Sequence, residues 1–313
     1  MNNDVPPALA SSALYSKSQL YIQRALVRQV SDETDEYQLW ASLALELLGK
    51  SALSSIHPSL IADPLHYQSL FAASGVTVST DIKTITAKTL FERLQHLVKP
   101  FDAKVKDFCN QVANRRNAEL HSGDAPFAAT RAEKWDAEYW YAVDLILTFQ
   151  GQTFESWLGT DDAAMPKDIV AKAKQAKLQL VNVRIQRTAE VFKKLKKRAK
   201  QKALRDAELK AFDDYPRLFE HYWDASWEAE CPSCTAKAFV VGELDYEDVI
   251  QTQGDEYGVW ETVQRVYSGS VFRCPTCGLK LDGYDELTLA ELPLEHSDTD
   301  ERQMEYEPQY GND

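Results

Sequence analysis

The chain has 313 residues, 44% of them hydrophobic, which is long enough for two domains and supports at least one real core. It has no run of about 18 apolar residues, which excludes a membrane-spanning helix. The start Met1-Asn2-Asn3-Asp4 lacks the basic-then-apolar order of a secretory signal, so a cytoplasmic location is expected. The formal net charge of −13 argues against simple nucleic-acid binding, yet the charge is unevenly placed: Lys167 to Lys210 holds fifteen Lys and Arg against four Asp and Glu, and Asp213 to Asp313 holds six against twenty-four.

Helical spacing runs from 11 to 30 and ends in the polar run Ser31-Asp32-Glu33-Thr34-Asp35. A second helix is predicted from Glu36 to Ile56. Its Leu39, Trp40, Leu43, Leu45, Leu47 and Leu48 are apolar over most of the circumference, which suits burial among other helices. His57-Pro58 ends it, because the residue before a proline is pushed out of the helical region. After a loop with Pro64 and Gly75, the run Val76 to Thr80 reads as a short extended piece. Thr84 or Thr86 starts a third helix, carrying Leu90, Phe91, Leu94 and Leu97, and Pro100 breaks it. A fourth runs from Phe101 through Val105, Phe108, Cys109, Val112 and Ala113, with Gly123 placed to stop it in a left-handed conformation. A fifth, 128–157, carries Trp135, Tyr139, Trp140, Tyr141, Phe149 and Phe154 at core spacing, which reads as packing rather than base stacking. The chain is therefore expected to be mainly α and to open with a helical bundle over residues 11–158.

From Asp161 to about Phe212 the pattern is one long basic helical stretch whose apolar positions are thin and mostly small, so it packs along one face only. It reads as a connector over 161–213. Beyond Pro216 the runs Ala238 to Val241, Val259 to Val263 and Ser270 to Phe272 are strand-like, giving a small β-rich domain over 214–295. The acidic end, 296–313, has few apolar residues and reads as a disordered tail.

Cys231-Pro232-Ser233-Cys234 and Cys274-Pro275-Thr276-Cys277-Gly278 are two turns of the same design. A CxxC turn aims two thiolates at one point, and two such turns supply four soft ligands in a tetrahedron. That suits one structural Zn²⁺ per chain in a zinc ribbon, with no open position for chemistry. Cys109 lies on the apolar side of the fourth helix and reads as a small core residue.

The end of that fourth helix reads Arg116-Asn117-Ala118-Glu119-Leu120-His121-Ser122-Gly123. Asn117 and His121 are four apart and share a face. Arg116 lies about 140° round the helix from His121, within reach of its long side chain. Imidazole titrates near neutrality and can take and return a proton; guanidinium can hold a phosphate with two hydrogen bonds. The other histidines (His57, His66, His96, His221 and His296) do not repeat at ligand spacing. The pattern Arg-Asn-x-x-x-His at a helix end resembles that of the HEPN ribonuclease family, over roughly residues 11–155. The resemblance implies a HEPN-like bundle and a metal-independent endoribonuclease. Arg116, Asn117 and His121 would be its catalytic residues, facing their copies across a homodimer cleft. It also implies attack by a ribose 2′-OH on RNA, leaving 5′-OH and 2′,3′-cyclic phosphate ends, and a toxin or antiviral defence role. Family members also use a polar residue from another helix. Glu46, within the apolar Leu43-Ala44-Leu45-Glu46-Leu47-Leu48, is the candidate, with pairing to a lysine as the plainer reading. An inhibitory or trigger protein is an expected partner, because a free ribonuclease harms its host. The acidic end could itself cover the basic stretch. The rival expectation is a non-catalytic HEPN-like dimeric scaffold that binds RNA or a partner protein through the ribbon.

Overall fold

The computed structural model describes residues 5–31, 33–127, 132–255 and 258–303. Two compact units divide the chain, Met1–Gln175 and Ala176–Asp313. Among the described residues no helix is long and apolar enough to cross a membrane.

The first unit is helical: α1 (Ser11–Val30), α2 (Thr34–Ile56), α3 (Tyr67–Ala73), α4 (Ala87–Leu97), α5 (Ala103–His121), α6 (Ala132–Phe149) and α7 (Phe154–Leu158), with the first turns of α8 (Ala164–Lys193). α2 lies at the centre, as its all-round apolar pattern requires, and α1, α4, α5 and α6 all pack on it. Ala41, Ala44, Leu45, Leu48, Ala52 and Leu53 of α2 are fully buried, and each large apolar side chain so placed contributes about 1.5–3 kcal/mol. Small residues let neighbours come close: a Cβ on Gly49 would lie 3.2 Å from methyl carbons of both Leu90 and Leu94 on α4. The aromatics of α6 are core, as their spacing suggests. Trp135 stacks on Tyr139 at 4.5 Å, and Trp140 meets Trp157 edge-on at 6.5 Å.

Several boundaries differ from the sequence reading. The third predicted helix does start at one of its two expected residues: Thr86 caps α4 by accepting from the Thr89 N–H at 3.3 Å. Gly123 does not stop α5 in a left-handed conformation. The extended Ser122 does so (φ −130°, ψ 176°), with its hydroxyl donating to Ala118 O at 2.7 Å and accepting from Asp124 N–H at 3.1 Å. A serine turn thus satisfies the helix end without a positive φ. Val76 to Thr80 forms no strand. The extended contact nearby is a single bridge between Ala62 and Thr84, and α3 fills part of what reads as loop. The fifth helix is two, because the chain turns at Gly151 (φ +66°) and restarts with a Thr153–Ser156 capping box. Its expected first residues, 128–131, lie outside the described residues.

In the second unit the later turns of α8 and the helix α9 (Lys197–Leu209) accompany β1 (Ala225–Glu230), β2 (Lys237–Asp255), β3 (Gly258–Arg273), β4 (Lys280–Asp282), α10 (Tyr284–Leu289) and β5 (Glu295–Gln303). The sheet is antiparallel in the order β1-β2-β3-β4, and β5 also pairs with β3. All three strand-like runs fall in β2 and β3. The basic stretch is two helices, broken at 194–196, and it does more than connect: Val181, Phe192 and Ala207 are buried in one cluster with Trp227, Val240, Phe272 and Leu287. The reading of 296–313 as a disordered tail is corrected in its first part. His296 to Gln303 belong to a strand tied to its neighbours by ion pairs: its Asp300 pairs with Arg265 at 3.3 Å, and its Arg302 with Glu247 at 2.6 Å and Glu261 at 3.0 Å. Residues 304–313 lie outside the described residues.

Candidate functional site

Asp102 starts α5 by accepting from the N–H groups of Lys104 (2.9 Å) and Val105 (3.1 Å). Burial of Val105, Cys109, Val112 and Ala113 then fixes its rotation on the bundle. That rotation turns Arg116 towards the middle of α2. The Arg116 Nη1 group donates to Glu46 Oε2, while the Lys50 ammonium donates to Glu46 Oε1 at 2.7 Å and to Thr84 Oγ1 at 3.0 Å. The side chains of Lys50, Arg116 and Glu46 are 10%, 12% and 16% exposed, so the pairing is nearly closed to water. Burial alone would raise the Glu46 carboxyl, but Lys50 and Arg116 together outweigh it and hold it below its ordinary value.

Arg116 also donates from Nε (3.2 Å) and Nη2 (2.9 Å) to Asn117 Oδ1. Three of its five donors are thus occupied and two stay available. The structure therefore brings Glu46, Arg116 and Asn117 into one hydrogen-bonded chain. His121 stands apart: it is exposed in the last turn of α5 and makes no hydrogen bond or ion pair with another described residue. Lys50 is the lysine that the plainer reading of Glu46 expected without naming it, and Thr84 is a member that the sequence reading passed over. Lys50 was findable, since it stands four residues after Glu46 on the same helix face. Thr84 left no such signal, because it arrives from a loop.

The four cysteines converge. Their sulfurs all lie within 4.8 Å of one another, with Cys231–Cys277 and Cys234–Cys274 each 3.6 Å apart. That is far longer than a disulfide of about 2.05 Å, and close to the edge of about 3.8 Å in a tetrahedron with metal–sulfur bonds of about 2.3 Å. Both turns are hairpin ends at one end of the sheet: 231–236 joins β1 to β2, and 274–279 joins β3 to β4. In each, the first cysteine's N–H donates to the carbonyl five residues on (Ala236, Leu279), at 3.0 Å. The residue four on is left-handed, Thr235 (φ 59°) or Gly278 (φ 78°). Ser233 N–H donates to Cys231 Sγ at 3.4 Å and Cys277 N–H to Cys274 Sγ at 3.5 Å. Four soft donors with amide support can hold a metal ion.

The remaining cysteine and histidines form no cluster with these. Cys109 is fully buried and burial pushes its thiol up, which keeps it unreactive. His57 caps a short 3₁₀ turn, His66 bonds Ser69 at 2.9 Å, and His296 stacks on Trp227 at 5.4 Å. In comparisons with known proteins, no family model, no curated protein and no solved structure matches the chain.

Proposed function

We propose that the chain is a metal-independent endoribonuclease of HEPN type, acting as a homodimer, with a structural Zn²⁺ on Cys231, Cys234, Cys274 and Cys277. The reading is carried by one observation: a guanidinium held by Glu46 and Asn117, with two donors to spare, at the helix end that presents an exposed imidazole. Neutral His121 takes the proton of a ribose 2′-OH as the 2′-oxygen bonds to phosphorus. The bond from phosphorus to the 5′-oxygen breaks, and that oxygen takes up a proton returned by the imidazolium, leaving a 5′-OH and a 2′,3′-cyclic phosphate. Arg116 stabilises charge on the phosphoryl oxygens, and Asn117 orients Arg116. Glu46 positions Arg116 without touching RNA. The four-sulfur site leaves no open coordination position, so the metal serves the fold. A toxin or antiviral defence role follows from the same family habit.

A second reading rests on the burial of Arg116. An arginine so enclosed and neutralised also serves as a clamp of α5 on α2, which is what a non-catalytic dimeric scaffold would keep. Cleavage of mixed RNA by the wild type beside His121→Ala, in brief EDTA, separates the two. The enzyme requires wild-type cutting with 5′-OH ends and a loss of about 10²-fold or more in the variant, both proteins having the same thermal transition. Equal cutting by both removes His121 from the chemistry, and none by either favours the scaffold.

A further inference from the structure

The first cations of α8 are neutralised locally: Lys167 by Glu155, Lys172 by Asp168 and Lys174 by Asp144. Along α8 this continues only as far as Lys177 and Arg184, which meet Asp285 and Glu286 of α10. From Arg187 to Arg205 there are nine Lys and Arg, and among the described residues none of them takes part in an ion pair. Such a density of like charge on an exposed helix pair repels itself and gathers counterions, which a polyanion displaces with a gain in free energy.

A second feature lies directly after α9. Residues 212–226 enclose a cleft of ≈ 370 Å³ walled by Phe212, Tyr215, Phe219, Tyr222 and Trp223, a size within the usual range of small-ligand sites. Phe212 and Tyr215 rest against Phe239 of β2 at 5.6 and 5.8 Å, so their rings have a fixed floor. Lys210 sits 5.3 Å from the Tyr215 ring. Tyr222 is 92% exposed, a position that packing does not explain. Of the two acids at the cleft, Asp224 accepts from Leu244 N–H at 2.8 Å, and Asp213 is exposed and able to accept from an exocyclic amine of a base.

Aromatic walls beside unneutralised cations are what a single-stranded polynucleotide needs, since its bases are free to stack and its phosphates follow the charge. Resting on the ribonuclease reading above, we propose that the second unit is an RNA-holding module. The α8–α9 cations bind the phosphate backbone of a single-stranded segment, and the 212–226 cleft stacks one of its unpaired bases. A duplex satisfies the first feature and not the second.

The test uses full-length His121→Ala protein, loaded with zinc, so that RNA is not consumed. Fluorescence anisotropy follows an unstructured labelled RNA of about 16 nucleotides and its duplex across a salt series. The single strand binds more tightly. Adding Lys196→Ala, Lys197→Ala and Arg198→Ala together lowers the slope of log K against log salt by about 2. Adding Tyr222→Ala instead weakens binding about fivefold or more with the slope unchanged. These side chains are exposed, and unchanged thermal transitions confirm that the variants fold. Preference for the duplex, affinities insensitive to both sets of substitutions, or competition by polyglutamate as strong as by RNA would each overturn the proposal. Cleavage by the protein with His121 intact is scored separately. Cleavage without this binding sinks the module and spares the active site, and binding without cleavage does the reverse.

Discussion

Glu46 sits between two cations, and its loss leaves both in a place largely closed to water. Glu46→Gln keeps the shape and removes the charge. Breaking a buried pair from one side costs about 3 kcal/mol or more, discounted here to about 2–3 kcal/mol because a little solvent reaches all three groups. Urea unfolding near pH 7 reads this difference. Its pH dependence has a definite sign. The folded carboxyl lies below the ordinary glutamate value of 4.5, so its contribution is fully present above 4.5 and fades as pH falls through the folded value. The gap between wild type and variant should therefore hold from pH 7 to about 5 and close in stronger acid; a gap that widened on acidification would refute the pairing. At this scale the sequence was half legible. Glu46 and Lys50 share a helix face and can be paired on paper. Glu46 and Arg116 are seventy residues apart, and only the packing of α5 on α2 makes them neighbours.

Elements that carry their own signal were readable, and those that borrow stability were not. α1 begins and ends where the periodicity places it, and α2 begins two residues earlier than read. By contrast, α3 and α10 are seven and six residues long, too short to be stable alone, and they exist because neighbours hold them. The break between α8 and α9 has no Gly or Pro and no side-chain cap to announce it. β1 and β4 are fixed by the cysteine turns as much as by propensity. β5 has the composition of a solvated tail and becomes a strand only because Arg265 of β3 answers its acids and its own Arg302 reaches Glu247 and Glu261. The long β2–β3 hairpin has one position with no tolerance. At the register shift after Val241, a Cβ on Gly242 would lie 2.1 Å from the Ser268 carbonyl oxygen and 2.9 Å from the Trp227 ring. Gly242→Ala must push the strands apart there, and a loss of about 3 kcal/mol is expected. Thermal unfolding would show it as a lowered transition; an unchanged one would mean that the strands slip freely at the bulge.

The molecule has two cores rather than one. Leu45, Phe91, Trp140 and their neighbours form the first, and Val240, Phe272, Leu281 and the cysteine turns form the second. A metal ion bound at the four sulfurs would contribute to the folding free energy of the second core alone; in zinc-finger peptides such binding is worth about 10–16 kcal/mol at neutral pH. Prolonged treatment with a strong chelator should therefore strip amide protection from β1 to β4 while the amides of α2 stay protected. Hydrogen exchange read residue by residue distinguishes this from a uniform loss, which would mean one cooperative unit, and from no loss, which would mean that the sulfurs need no ion. The acidic β5 has a different consequence. It lies along β3 from Trp260 to Ser268 and pairs the peptide groups that this edge of β3 would otherwise leave open. The outward rim that replaces it bears Glu295, Asp298, Asp300 and Glu301. A second molecule meeting that rim finds carboxylates and no welcoming apolar ladder, which disfavours growth of the sheet across this edge.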